Sequence, residues 1–337
     1  MGRIHGAMSS YNHAISQARK QAKQLHHPRQ NVVAQPAPAA SQPVVTLPVV
    51  TSPAVVPQPD VTPEPVVTPE PVFSAPAVSN PFVLPVPQTV QTPGIPPTLS
   101  APVLPGPANT GVPQGVTLTP SGSLIVTQDG AVIEGRDIKG PLIIEANNVT
   151  IRNSRIESGA WNIIQIDDGV TGTVIENSEV IGTNIGNNGI VGTATIRGVN
   201  IHNVENAVVP GSNSLIENSY IHDLTGTRES HFDGIQIDGG VSNIVIRNNH
   251  IIVPDQTAAV MIDNYFGPID NIVVDGNTLQ GGTYTVYVDG HFNSNPVKNV
   301  TVTNNRFMGS VYGNALIRNA SAATSGNRDA FGNAISL

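Results

Sequence analysis

The chain has 337 residues, with 16 Lys and Arg against 24 Asp and Glu, 9 His and no cysteine. The lack of cysteine excludes disulfides and thiolate metal sites. A net charge of −8 with 4% aromatic residues argues against a nucleic-acid partner, because phosphate would be repelled.

The charge is unevenly spread. Five of the basic residues lie in the first 29 positions, and none follows until Arg136. Residues 1–30 are basic. Within them Ile4, Met8, Tyr11, Ile15, Ala18, Ala22 and Leu25 recur at alternating spacings of four and three, a heptad seam. Three heptads are too few for an isolated helix to be stable. The segment therefore reads either as a helix that docks onto an assembly or oligomerises, or as a solvated tail. No apolar stretch of about 7–15 residues follows these basic residues, so no signal peptide is recognised, and no run approaches the length of a membrane span.

Residues 31–108 hold 21 of the 29 prolines, almost no charge, and a repeated unit in VTPEPVVTPEPV. Such a composition buries too little apolar surface to offset its ordering entropy. Its prolines favour extended polyproline II structure, giving a semi-rigid stalk that would reach roughly 240 Å at ~3.1 Å per residue. The remaining residues, 109–337, carry 11 basic and 21 acidic side chains and are long enough to bury a core as one domain.

This third block repeats internally. IEGRDI (133–138), IRNSRI (151–156), IENSEV (175–180), IRGVNI (196–201), IENSYI (216–221), IRNNHI (246–251), VDGNTL (274–279) and VTNNRF (302–307) share an apolar residue at each end and Asn or Gly third. Short strands with Asn/Gly turns at a period near two dozen residues predict an all-β solenoid. Its first apolar positions, Ile151, Ile175, Ile196, Ile216 and Ile246, should form one inward column. The third-position asparagines Asn153, Asn177, Asn218, Asn248 and Asn304 should form a stacked amide ladder in the turn. The longest intervals follow Ile216, which marks where loops would build a site.

The block resembles the right-handed parallel β-helix proteins of the pectate-lyase-like superfamily. ANTGVPQGVTLTPSGSLIV (108–126), NVTIRNSRI (148–156) and SHFDGIQIDGG (230–240) look most like a subgroup found in actinobacterial secreted proteins and phage tail-associated proteins. The resemblance implies a single-stranded right-handed parallel β-helix and a polysaccharide partner. Of the motifs of the polygalacturonase branch only the paired acids have a counterpart, Asp167-Asp168. For the basic residue of the lyase branch, which acts beside a Ca²⁺ cluster, Arg228 is the candidate.

A second strand recurs in the coils: IIQID (163–167), GIQID (234–238), VMID (260–263) and TVYVD (285–289). Alternation turns the Ile and Val side chains inward and Gln165, Gln236, Met261, Tyr287, Asp167, Asp238, Asp263 and Asp289 outward. Asp238, Asp263 and Asp289 then stack on consecutive coils at ~4.8 Å, where a pair of charges at an effective dielectric of 20 repels by about 3.5 kcal/mol. A shared proton, a bound Ca²⁺ held by these three carboxylates, or splaying into water would relieve that cost. Their spacings fall near the ~5–5.5 Å of retaining and the ~6.5–9.5 Å of inverting glycosidases. On that reading Asp238, Asp263, His231 and Asp233 are the candidate catalytic residues. Gln165, Asp167, Arg228, Gln236, Tyr265, Tyr287 and Asp289 are the candidate sugar contacts. The competing reading makes each Asp-Gly a turn and His231 a loop residue bonded to backbone.

The sequence thus predicts a β-helix on a stalk, displayed at a virion or extracellular surface as a phage appendage that binds cell-surface polysaccharide. Residues 1–30 would join it to a virion or cell-surface assembly, with homo-oligomerisation a further expectation. A polysaccharide lyase or glycoside hydrolase acting at the acid ladder, and a purely structural decoration protein, are the alternatives.

Overall fold

The computed structural model describes residues 103–227 and 229–337. The heptad segment, the stalk up to residue 102 and Arg228 lie outside the described residues. Among the described residues every regular element is a strand, and each named strand pairs in parallel with its counterpart one coil away. Three faces result. The first runs through nine strands from Val132–Glu134 to Ala322–Ser325. The second and third are joined as one sheet because the long strand Arg136–Ile144 contributes to both, pairing with Arg155–Ser158 on one and Asn162–Ile166 on the other. From it the second face extends to Arg306–Phe307 and the third to Gly313–Arg318.

The register superposes all eight repeats. On the first face Ile133, Ile151, Ile175, Ile196, Ile216, Ile246, Val274 and Val302 are successive partners. The five isoleucines from Ile151 to Ile246 have no exposed surface. A second inward column, from Ile138 and Ile156 to Leu279 and Phe307, lines up on the second face. β-branched side chains suit this because each rests on an identical neighbour across the strand spacing.

The turn between the first two faces explains the third-position residue. Asn153, Asn177, Asn218, Asn248 and Asn304 all have φ between 46° and 55°, and Gly135, Gly198 and Gly276 take the same left-handed conformation at 60–66°. Asn and Gly tolerate that region where other residues do not. The stacked amide ladder, however, sits one residue later than expected. Asn249 Nδ2 donates to Asn277 Oδ1 (3.0 Å), Asn277 to Asn305 (3.0 Å) and Asn305 to Asn327 (3.2 Å). Earlier coils place Ser154, Ser178 and Ser219 there, still bonding to the next coil. The left-handed residue points its side chain outward, so Asn153 and Asn304 reach Glu134 and Asp275 instead. The following residue turns inward, where an unpaired amide would be costly and stacking satisfies it.

The described chain begins beside the sixth coil. Pro105 is buried and its carbonyl bonds His250 Nδ1 at 3.0 Å. Gly111 N–H donates to Gly198 O of the fourth coil at 2.9 Å, and Thr119 N–H to Gly135 O of the first at 2.8 Å. Residues 103–119 are therefore a strap running down the solenoid before the first coil starts, and residues 103–108 belong to it rather than to a free spacer.

Replacing Ile216 with Ala should destabilise the domain by ~2–5 kcal/mol, since neither neighbour in the column can fill the gap. Urea unfolding measures it. A chain starting at residue 115 should be about 1–2 kcal/mol less stable than one starting at residue 103, because it lacks the Pro105 and Gly111 bonds.

Candidate functional site

The candidate residues lie on the outward side of the third face. Its strands superpose Gln236, Met261, Tyr287 and Leu316, and pair Asp263 with Asp289 and Asp289 with Arg318. One residue beyond the last bonded pair, Ile237 with Ile262, Asp238 falls beside Asp263. The acid column is thus real: Asp238, Asp263 and Asp289 occupy consecutive coils. Its surroundings differ from the expected open groove. Asp238 is 5% exposed, Asp263 and Asp289 1% each, and Gln236, Met261 and Tyr287 no more than 7%.

Loops and turns pack beside this face. The segment between Tyr220–His222 and Asp233–Ile237 folds back on the preceding coil. Thr225 N–H bonds Val204 O, Ser230 Oγ and His231 N–H both reach Glu205, and Leu224 and Phe232 join the core. Tyr287 packs edge-on against Tyr284 at 5.6 Å and bonds Thr283 through its hydroxyl at 2.6 Å. After Asp263, the buried Asn264 ties down the next coil's turn through the carbonyls of Gly290, Asn293 and Asn295.

The column's repulsion is relieved in a way the repeats did not suggest. Arg318 donates to both oxygens of Asp289, Nε to Oδ1 at 3.0 Å and Nη2 to Oδ2 more closely, and the pair raises the guanidinium pKa. His291 Nδ1 lies 2.8 Å from the same carboxylate. Asp263 accepts the Tyr265 N–H at 2.8 Å. A calcium site of Asp238, Asp263 and Asp289 does not fit, because both oxygens of Asp289 are taken by a cation. Among the described residues no three His, Asp or Glu side chains are placed to hold a metal ion.

The acidic neighbour Asp233 is wholly buried, and burial, then Asp238 and Asp263, push its carboxyl well above the usual carboxylate range. Burial also lowers His231 to about 4, so its imidazole is neutral at ordinary pH, which does not suit a proton shuttle. Burial raises the Tyr287 phenol.

The structure gathers Asp233, Gln236, Asp238, Asp263, Tyr287 and Asp289. It leaves Gln165 and Asp167 apart. They bond each other (2.9 Å) three strand steps away, roughly 14 Å at the strand spacing, with Val191 and Val209 between. Tyr265 stands on the turn after Asp263 in a ring cluster with Phe266 (4.5 Å) and Phe292 (5.7 Å). Sequence reasoning missed Arg318 and His291. Ala315-Leu316-Ile317-Arg318 is a further copy of the outward-acid strand with Arg at the Asp position, and that exchange hid it.

The sequence matches one family model, described as right handed beta helix region, over residues 139–307. The chain belongs to the right-handed β-helix family. Among solved structures, an alginate lyase from Paenibacillus sp. str. FPU-7 is similar at 15% identity over 62% of this chain and 95% of its own, with a TM-score of 0.43. An endo-xylogalacturonan hydrolase from Aspergillus tubingensis gives 14%, 64%, 74% and 0.44. A capsular polysaccharide depolymerase, the tailspike protein of Acinetobacter baumannii bacteriophage Fri1, gives 13%, 58%, 44% and 0.32. No curated protein matches the sequence. No described helix is long and apolar enough to cross a membrane.

Arg318→Met should cost about 2–3 kcal/mol, less than for a fully buried pair because the guanidinium is 36% exposed while Asp289 is 2%. Adding Asp289→Asn should recover most of that loss in urea unfolding, since no uncompensated charge then remains.

Proposed function

We propose that the third face is a polysaccharide-binding surface of a β-helix displayed outside a cell, in the manner of the phage tail-associated proteins that the sequence resembles. One observation carries the reading. On the first face the outward charges alternate in strict order, Glu134, Arg152, Glu176, Arg197, Glu217, Arg247 and Asp275. Each Arg from Arg152 to Arg247 pairs with an acid, as at 2.8 Å for Glu134–Arg152 and 2.7 Å for Glu217–Arg247. The fold therefore readily avoids stacking like charges, yet the third face stacks Asp238, Asp263 and Asp289. A column that departs from this alternation is where a functional role is to be sought.

The chemistry suits sugars. The acids themselves are buried, so direct contact falls to what surrounds them: the rings of Tyr265, Phe266 and Phe292, with Phe266 39% exposed, are suited to pack on the C–H faces of pyranoses. Arg318 and His291 add donors at the C-terminal end of the column. Residues 1–30 would then supply the attachment to a virion or cell-surface assembly, homo-oligomeric or not, and residues 31–102 the reach.

The test is Asp263→Asn in the full chain, against a panel of cell-surface polysaccharides. The variant keeps the acceptor for Tyr265 N–H, so the turn that carries the aromatic rings should persist, while affinity drops severalfold or more. Shortened products from the wild type that vanish in the variant would place cleavage on the same face. Reduced stability with unchanged binding would overturn the reading and return the column to a structural role.

A further inference from the structure

A second polar column runs beside the acids. Asn162, Asn188, Asn206 and Asp233 are register partners on four successive coils of the third face. Asn188 Nδ2 donates to Asn162 Oδ1 at 2.9 Å, and Asn206 Nδ2 to Asn188 Oδ1 at 3.0 Å. Each amide therefore donates towards the preceding coil and should accept from the following one. At Asn206 the supply of donors stops. Its Oδ1 is buried without a hydrogen bond, and so are both oxygens of Asp233, the next residue in the column. Beyond Asp233 the column continues as Ala258, which offers no side-chain partner.

Three buried acceptors with no donor among them cannot be a stable ionised arrangement, since each would bear its full desolvation cost. One proton removes the conflict. We propose that Asp233 is held as a neutral carboxylic acid whose hydroxyl donates to Asn206 Oδ1, terminating the amide ladder in the sense that its own hydrogen bonds prescribe. The surrounding groups agree. Asp238 just after the same strand, Asp263 on the next, and Glu205 just before the preceding strand all disfavour a negative charge there, after burial itself. Tyr287 feels Asp233 among the causes that keep its phenol protonated, and burial keeps His231, in the loop before the strand, neutral. The Ala258 amide favours the anion without reaching hydrogen-bonding geometry.

The proton makes the third face pH-sensitive, with a definite sign. A carboxyl that stays protonated in the folded chain but ionises when unfolded contributes stability at low pH. That contribution is lost as pH rises from the unfolded value, about 3.9, through the folded one. Asp233→Asn supplies an N–H donor in the same place and has no such dependence.

The experiment compares the melting temperatures of the full chain and its Asp233→Asn variant from about pH 5 to about pH 8.5. The variant should match the wild type at the acid end and exceed it increasingly towards the alkaline end. Infrared difference spectra at neutral pH should show a protonated carboxyl C=O band in the wild type that the variant lacks. A pH-independent difference, or a variant less stable throughout, overturns the proposal. So does a wild-type melting temperature raised by added Ca²⁺ when that of the variant is not, which would make a cation the missing partner. Should the variant fail to fold, the wild-type spectrum decides: the band at neutral pH supports the proposal, and its absence overturns it.

Discussion

Stacking at the strand spacing governs this molecule. In a solenoid of in-register parallel coils, the nearest neighbour of every side chain is its counterpart ~4.8 Å above and below. Whatever is repeated is therefore packed against itself. For isoleucine this is favourable, and the column from Ile133 to Ile246 needs nothing more to form a continuous core. For an amide it is favourable too, because one side chain carries both donor and acceptor and can bond in both directions, as Asn249, Asn277, Asn305 and Asn327 do. For a carboxylate it is not, since an ionised acid only accepts.

The rule sorts the outer faces. The first face solves the charge problem by alternation, with Arg152, Arg197 and Arg247 each beside an acid. These exposed pairs stabilise the fold little, and their value lies in avoiding repulsion. The third face does not alternate. There Asp289 is paired with Arg318 one coil further on, and the proposed proton on Asp233 removes a further charge.

The variable loops decide which columns are open. The insert after Tyr220–His222 buries Phe232 against the core and fastens to Glu205, and the turn held by Asn264 carries the aromatic rim of Tyr265, Phe266 and Phe292. A regular scaffold supplies the spacing, and the loops supply what varies between coils. The strap of residues 103–119 uses the same regularity from outside, bonding to the sixth, fourth and first coils in turn.

The repeats in the sequence were sufficient for the solenoid, for the inward face of each strand and for the left-handed Asn or Gly in each turn. All three depend on residues close together in the chain, so a local period of two within a longer period near two dozen expresses them directly. That Asp238, Asp263 and Asp289 share a column was legible for the same reason. What the tertiary structure decided lies between coils of unequal length. The amide ladder stands at Asn249 rather than at Asn248, because the left-handed turn directs alternate side chains outward and inward. The partner of Asp289 is Arg318, 29 residues away across a loop whose length no pattern dictates. Asp263 and Asp289 are covered rather than open because the turns that follow them, and Arg318, close over their carboxylates. Gln165 and Asp167 stand apart from Asp238 because two coils between them place valines in the Gln position. A repeat specifies which position stacks on which. Whether that position meets solvent, a cation or a proton is set by neighbours that do not repeat.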